Sequence, residues 1–243
     1  MKKIICNNYI EMSRTAANII AEEITKNPGA VLGLATGSTP VGTYEELIVK
    51  HKKEGLDFSN VITFNLDEYH GLDAKHPQSY NYFMYEKFFR HININYENVH
   101  FPNGTPSNIE EECRRYDALL EVHGGIDLQL LGIGMNGHIG FNEPGNTLQI
   151  NTHLVNLTKE TIKANSRFFA SEAEVPSSAI TMGIGGILKA KKVLLLAVGK
   201  AKAKIISDII DGKLSTYIPA SILQVHKDVT LIIDKEIGES LRK

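Results

Sequence analysis

The chain has 243 residues, of which 42% are hydrophobic and 22% are charged, and its formal net charge is −2. This length suits one α/β domain, and a nearly balanced charge without a basic block excludes the surface that nucleic-acid binding needs. The longest uninterrupted apolar run, residues 193–198, is far shorter than the roughly 20 residues of a transmembrane helix. We therefore expect a single domain over 1–243, in the cytoplasm, with neither a nucleic-acid nor a membrane partner.

The cysteines and histidines show none of the spacings that bind metals. Cys6 and Cys113 lie far apart in sequence, and the nine histidines include no His-x-x-x-His pair. The N-terminus breaks its apolar run after three residues and so lacks the stretch of an export signal. These observations favour a reducing compartment with free thiols, and the sequence predicts no metal site.

The hydrophobic pattern predicts strands that alternate with helices. A first helix over 11–26 ends at Asn27-Pro28-Gly29, so about 30 residues with one helix precede the first predicted strand. Strands are predicted at 30–35, 61–66, 99–101, 126–131, 153–157, 192–198 and 229–233, with further helices at 41–54, 79–89, 108–122, 159–168 and 201–210. The strands are nearly continuous apolar runs, which is typical of a mostly parallel sheet with helices on both faces. The expected fold is a three-layer, modified Rossmann-like α/β architecture.

Ligands in such folds bind beyond the carboxyl ends of the strands. We therefore expect the loops after Ala35, Leu66, Leu131 and Val198 to converge on one crevice. These loops also contain most of the polar residues in the sequence that are suited to catalysis or ligand binding.

The loop after Ala35 has the composition of a phosphate cradle. Thr36, Gly37, Ser38 and Thr39 precede Pro40, so hydroxyl groups and a flexible backbone lead into the positive end of a helix. Ordinary helix capping uses the same residue types and remains an alternative.

The loop after Leu66 begins with two adjacent acids, Asp67 and Glu68. Neighbouring residues of a strand point to opposite sides, so only one of them is expected to face the crevice. Asp67 is the better candidate for an acid or base because it lies directly at the strand end. Helix capping or turn formation is the alternative.

The loop after Leu131, residues 132–145, reads GIGMNGHIGFNEPG. Its glycines match the dinucleotide fingerprint GxGxxG, but that fingerprint must run into a helix, whereas Pro144 and Gly145 interrupt here. His138 lies close to Asn136, Asn142 and Glu143 in this loop, and a His fixed by a carboxylate or amide is suited to moving protons near pH 7. A purely structural His is the alternative.

Two further loops offer cations for a phosphate. Lys200 and Lys202 lie near the start of a helix after an apolar strand, and Arg167 lies within Ala-Asn-Ser-Arg-Phe-Phe. Each of these side chains could equally be solvated at the surface.

The segments LGLATGSTP, TFNLDEY, LLGIGMNGHIGFNEPG, ANSRFF and GKAKA together resemble the glucosamine-6-phosphate deaminase family, in register over essentially the whole chain. The resemblance implies an amino-sugar catabolic enzyme that converts glucosamine 6-phosphate and water to fructose 6-phosphate and ammonia, without metal or organic cofactor. It implies that His138 opens the sugar ring, with Asn136 and Glu143 orienting it. Asp67 then removes the proton at carbon 2.

The resemblance also assigns substrate-binding residues, with the phosphate held by Arg167, Lys202 and the loop after Ala35. They are Thr36, Gly37, Ser38, Thr39, Gly132, Arg167 and Lys202. Some family members carry Asp at the position of Asn136, and the uncharged amide predicts a less basic His138.

The allosteric hexamers of the family use basic residues where this chain has His153 and Val155, and their chains extend beyond the position of Lys243. We therefore expect no activation by N-acetylglucosamine 6-phosphate and a smaller assembly, down to a monomer. Whether residues 146–170 form a lid stays open.

Two other functions are compatible with parts of the sequence. A 6-phosphogluconolactonase on the same scaffold also needs a phosphate cradle and a crevice His, but it has no use for Asp67 as a carbon-acid base. A sugar-phosphate sensor attached to a transcription regulator needs a DNA-reading segment, and the predicted elements before the first strand amount to one helix.

Overall fold

The computed structural model describes residues 1–241, so the last two residues of the domain predicted over 1–243 lie outside the described part. The strands are β1 (Lys2–Cys6), β2 (Val31–Leu34), β3 (Ile62–Asn65), β4 (Asp67–Tyr69), β5 (Val99–His100), β6 (Leu128–Leu131), β7 (His153–Asn156), β8 (Ser178–Thr181), β9 (Lys192–Ala197) and β10 (Val229–Asp234). The α-helices are α1 (Tyr9–Lys26), α2 (Val41–Glu54), α3 (Tyr80–Lys87), α4 (Ile109–Val122), α5 (Lys159–Asn165), α6 (Ile184–Leu188), α7 (Ala203–Ile210) and α8 (Lys235–Ser240).

The main sheet confirms the predicted parallel architecture. Its order is β1-β10-β9-β6-β2-β3-β5, and its strand pairs are parallel. Four of the predicted strands, β9, β6, β2 and β3, are therefore direct neighbours whose carboxyl ends share one edge. None of the helices within residues 1–241 is long and apolar enough to cross a membrane.

Helices cover the two faces of this sheet and bury a core on each. Leu32 and Leu34 of β2 pack with α1 residues such as Ile20 on one face. On the other face, Leu131 packs with Tyr116 of α4 and with buried isoleucines of α7. Successive strand residues point to opposite faces, so an uninterrupted apolar strand supplies both cores at once.

A second, antiparallel sheet of order β4-β8-β7 was not predicted. Residues 67–71 were expected to form a loop, but Asp67–Tyr69 is a strand, with Asp67 opposite Thr181. Leu66 joins the two sheets, because its N–H donates to Leu34 of β2 and its carbonyl accepts from Met182, just after β8. The strand predicted over 153–157 also belongs to this sheet, and its residues alternate between half-buried and exposed.

Several elements were missed by the sequence analysis: β1, β8, α6 and α8. The expectation that one helix precedes the first strand is wrong, because β1 lies at the very start and pairs with β10. Four of its five residues are exposed or half-buried, which is typical of an edge strand and leaves little hydrophobic pattern to detect.

Candidate active site

The predicted convergence of loops follows from the order of the main sheet. The loops after β2, β3, β6 and β9 leave neighbouring parallel strands at the same edge. Contacts between the loops show that they meet: Lys202 Nζ donates to the carbonyl of Ile133 at 2.7 Å, and Arg167 Nη2 lies 3.4 Å from Ser38 Oγ. These contacts bring the segments after β9 and β6 together and join the segment after α5 to the loop after β2.

His138, Asn136 and Glu143 form one hydrogen-bonded cluster. Nδ1 of His138 lies 3.3 Å from Oε2 of Glu143, and Nδ2 of Asn136 donates to the same oxygen at 2.8 Å. The backbone N–H of His138 donates to Oδ1 of Asn136 at 3.2 Å. The amide of Asn136 thus donates through Nδ2 and accepts through Oδ1, whereas an ionised carboxylate at this position could only accept. The arrangement fixes the imidazole through Nδ1 and leaves Nε2 for proton transfer.

Glu143 is held in its ionised form. Burial raises its pKa, but the hydrogen bond and charge of His138, together with hydrogen bonds from Thr161 and Asn136, outweigh burial and lower it overall. The Thr161 hydroxyl donates to Oε1 at 2.5 Å, so both carboxylate oxygens are engaged. Thr161 was not singled out in the sequence, because a Thr inside a helix of ordinary pattern carries no signal.

The glycines of residues 132–145 serve the geometry of His138 rather than a dinucleotide. A Cβ on Gly134 would lie 2.5 Å from Nε2 of His138, so the imidazole occupies the space above this glycine. Gly137 and Gly140 have φ angles of 87° and 57°, in the left-handed region that favours glycine. Asn142, by contrast, braces the loop, since its side chain donates to the carbonyls of Ile139 and Met182.

Asp67 is buried against this loop with an altered pKa. It is 5% exposed, and a Cβ on Gly140 would lie 3.3 Å from its Oδ2. Burial and the charge of Glu68 raise the pKa of Asp67 to about 8, although a hydrogen bond from the backbone N–H of Phe141 opposes the shift. A carboxylate with this pKa is a much stronger base than an ordinary Asp.

The loop after β2 does not cap the following helix through its side chains. The residue before α2 is Pro40, and no side-chain hydrogen bond caps this helix within the described chain. Gly37 has a φ of 108°, while Thr36 and Thr39 are half-buried and Ser38 is exposed. The capping alternative therefore fails here, and the Ser38 hydroxyl lies beside Arg167 instead.

Arg167 and Lys202 are close enough to affect each other. Burial and the charge of Arg167 lower the pKa of Lys202 to about 8. Two neighbouring cations beside the Ser38 hydroxyl are suited to an anion with more than one negative charge. Lys200 is exposed and is not part of this cluster, whereas Gly132 lies half-buried just after β6.

The segment 159–169 links the parts of the site. Thr161 contacts Glu143, and Nδ2 of Asn165 donates to the hydroxyl of Tyr69 at 2.9 Å. Arg167 follows in a short 3₁₀ helix. The sequence predicted Arg167 as a site residue but not Asn165 or Tyr69, although Asn165 lies in the segment ANSRFF and Tyr69 in the segment TFNLDEY.

Comparison with known families identifies the scaffold. Residues 9–232 match the model of a family described as glucosamine-6-phosphate isomerases/6-phosphogluconolactonase. The chain belongs to this family. A curated glucosamine-6-phosphate deaminase of Thermoanaerobacter pseudethanolicus is 60% identical over 97% of this chain and 93% of its own length. Another, from Clostridium perfringens, is 54% identical over 100% of both chains. The predicted resemblance is confirmed, and the chain is an enzyme.

Solved structures of this family share the fold. The structure of a monomeric glucosamine-6-phosphate deaminase has 48% sequence identity and a TM-score of 0.96, over 99% of this chain and 100% of its own. The 6-phosphogluconolactonase of Trypanosoma cruzi has 22% identity and a TM-score of 0.77, over 100% of this chain and 97% of its own. The second likeness is one of fold alone.

Replacing Gly134 by Ala should impair catalysis more than folding. The added methyl would displace the imidazole of His138, and a misplacement of about 1 Å costs roughly 100-fold in rate. The ring can move toward the crevice, so the melting temperature should change little. Gly145→Ala is the matched control, because its Cβ would meet nothing nearer than 3.7 Å. Equal kcat values for the two variants would contradict this role of Gly134.

The affinity for phosphate should fall as the pH rises through about 8, where Lys202 loses its proton in the free enzyme. The second ionisation of a phosphate monoester lies near pH 6, so a monoester ligand is already mostly a dianion at about pH 7. Titration calorimetry with methyl phosphate from about pH 7 to 9.5 measures this trend, and Lys202→Gln should flatten it. An affinity that stays constant through pH 8 in the wild type would rule out this role of Lys202.

Replacing Asp67 by Asn should stabilise the protein at alkaline pH. The folded-state pKa of Asp67 lies above its ordinary value of about 3.9, so its contribution to stability is present below that value and is lost as the pH rises through about 8. Thermal melting should show an Asp67→Asn advantage that grows as the pH rises to about 8 and then levels off, with each kcal/mol worth about 2–4 °C. Asp211→Asn, at an exposed position, is the control. A difference that shrinks with rising pH would contradict the buried carboxylate.

Proposed function

We propose that the protein converts glucosamine 6-phosphate and water to fructose 6-phosphate and ammonia. The observation that carries this proposal is the pairing of a buried, strongly basic Asp67 with a separately oriented His138, beside a cluster of two cations. The relatives named glucosamine-6-phosphate deaminase, up to 60% identical here, support the same reaction.

The cation cluster anchors the phosphate end of the sugar. Arg167, Lys202 and Ser38 supply charge and hydrogen bonds, and the backbone of residues 36–39 and of Gly132 lines the substrate. Binding energy gained at the phosphate then holds carbons 1 and 2 against the catalytic groups.

His138 opens the ring in the first step. Its Nε2 moves the proton of the anomeric hydroxyl to the ring oxygen, while Nδ1 stays on Glu143. The ionised Glu143 stabilises the imidazolium form of His138, which exists only transiently during this proton transfer. Asn136 holds the loop and the carboxylate but adds no charge of its own.

Asp67 acts in the second step, in which the carbon-2 proton is removed and an enolamine forms. A proton then returns at carbon 1, and water adds to the resulting imine at carbon 2 and displaces ammonia. Carbon acids are weak, so the raised pKa and fixed position of Asp67 are the properties this step needs.

We also propose that the protein works as a monomer without allosteric activation. Its relative of 48% identity is described as monomeric. Burial lowers the pKa of His153, so this residue is neutral near pH 7, and Val155 is apolar. Neither offers a positive charge to a phosphorylated effector.

Asp67→Asn should abolish ammonia release while preserving phosphate-dependent binding, because the change removes the base and leaves the anchor. A coupled ammonia assay measures turnover, and calorimetry with inorganic phosphate measures the anchor. Near-normal turnover would remove Asp67 from the mechanism. Wild-type protein that hydrolyses 6-phosphogluconolactone and releases no ammonia would overturn the proposed function.

His138→Gln should slow ring opening most. Activity on glucosamine 6-phosphate should fall by about 100-fold or more, the usual range for a lost proton-transfer group. An open-chain substrate, or the reverse reaction measured from open-chain ketose, should be affected less. Equal losses for ring and open-chain forms would contradict the division of labour between His138 and Asp67.

A further inference from the structure

Glu68 is a buried acid that the proposed reaction does not use. It is 1% exposed and directly follows Asp67 on β4, so the two side chains point to opposite sides of the strand. Its carboxylate accepts backbone N–H bonds from Tyr69 and Tyr80 at 2.8 Å and from Asn81 at 2.9 Å. Tyr80 and Asn81 form the first turn of α3. Burial raises the pKa of Glu68 to about 7, although these three hydrogen bonds oppose the shift, so Glu68 is ionised above neutral pH, where Asp67 also loses its proton.

The far side of Glu68 offers little to neutralise that charge. Glu68 lines a cavity of about 320 Å³ together with His100 and Arg115. The guanidinium of Arg115 is engaged by both oxygens of Glu112, each at 2.7 Å. Burial, with the charges of His123 and Arg115, lowers the pKa of His100, which is therefore neutral near pH 7. The charge of Glu68 consequently acts on Asp67.

The other groups packed around Asp67 are mostly uncharged at assay pH. From β8 and the loop after β6 come the hydroxyl of Thr181 and the backbone N–H of Phe141. The imidazole of that loop, His138, is tied to Glu143. Three tyrosines complete the surroundings: Tyr69 on β4, Tyr80 on α3 and Tyr116 on α4. Burial raises the pKa of Tyr69 to about 12 and the pKa values of Tyr80 and Tyr116 well above 10.

We propose that Glu68 is a positioning residue for the base: it fixes a negative charge behind Asp67, which strengthens Asp67 as a proton acceptor, and it fastens the start of α3 to β4. This inference rests on the proposed function, because it takes Asp67 as the carbon-acid base. A stronger base removes a carbon-bound proton faster, so the adjacent acid raises kcat without touching the substrate.

Three variants separate charge from structure. Glu68→Gln keeps the size of the side chain and removes its charge, whereas Glu68→Asp keeps the charge on a shorter side chain. Ser79→Ala loosens the same end of α3, since the Ser79 hydroxyl accepts the N–H of Tyr82 at 3.0 Å, and it changes no charge. The readout is the pH profile of kcat and KM for ammonia release.

Glu68→Gln should move the acidic limb of the kcat profile to lower pH by about one unit and lower kcat at the optimum about tenfold. KM should stay within about threefold, because the phosphate is held elsewhere. Glu68→Asp and Ser79→Ala should keep the wild-type limb. An unmoved limb in Glu68→Gln, or the same movement in Ser79→Ala, would show that Glu68 only braces the helix.

A second readout does not depend on turnover. Difference infrared titration of the wild type against Asp67→Asn, with carboxyl-¹³C-labelled aspartate to separate the Asp band from that of Glu68, follows the carboxyl band of Asp67, and its midpoint should lie lower in the Glu68→Gln background. If the wild type releases no ammonia, the proposed function fails while this titration still decides the coupling. If Glu68→Gln does not fold, a wild-type midpoint near the ordinary value of about 3.9 overturns the proposal.

Discussion

The site depends on one constraint: an ionisable carboxylate is kept in the protein interior, at the point where the chain passes from one sheet to the other. Leu66 ends the parallel run beside β2, and Asp67 begins the antiparallel pairing with β8. This switch buries Asp67 and places Glu68 on the other side of the same strand. Burial costs stability whenever Asp67 is charged, and the same burial raises its pKa, which is the property that its proposed role as a carbon-acid base requires.

The remaining parts of the site are arranged around this carboxylate. The glycine-rich loop after β6 lies against Asp67 through Gly140 and makes room for the His138 imidazole above Gly134. The segment from Thr161 to Arg167 contacts Glu143 at one end and the Ser38 hydroxyl at the other. The groups assigned to proton transfer and those assigned to the phosphate are thus held by one short stretch of chain.

The sequence predicted the main sheet and the meeting of its loops, because long apolar strands and glycine-rich connections leave a local pattern. It did not predict β4, whose partner Thr181 lies more than a hundred residues away and whose three residues carry no periodicity of their own. The same limit applies to Glu68 and Thr161, whose roles follow from contacts with distant backbone and side chains. The glycines that match GxGxxG are the opposite case: their pattern was visible in the sequence, but it indicated the wrong role. Only the position of the His138 imidazole in the structure explains Gly134.

In the proposed mechanism Asp67, and not His138, removes the proton from carbon 2. The most direct test follows the carbon-2 proton signal of glucosamine 6-phosphate by NMR in deuterated water, with the wild type, Asp67→Asn and His138→Gln. The signal should be lost rapidly with the wild type and more slowly with His138→Gln. With Asp67→Asn it should be retained over the time in which the wild type consumes all substrate. Loss of the signal with Asp67→Asn at a rate comparable to that of the wild type would contradict this mechanism.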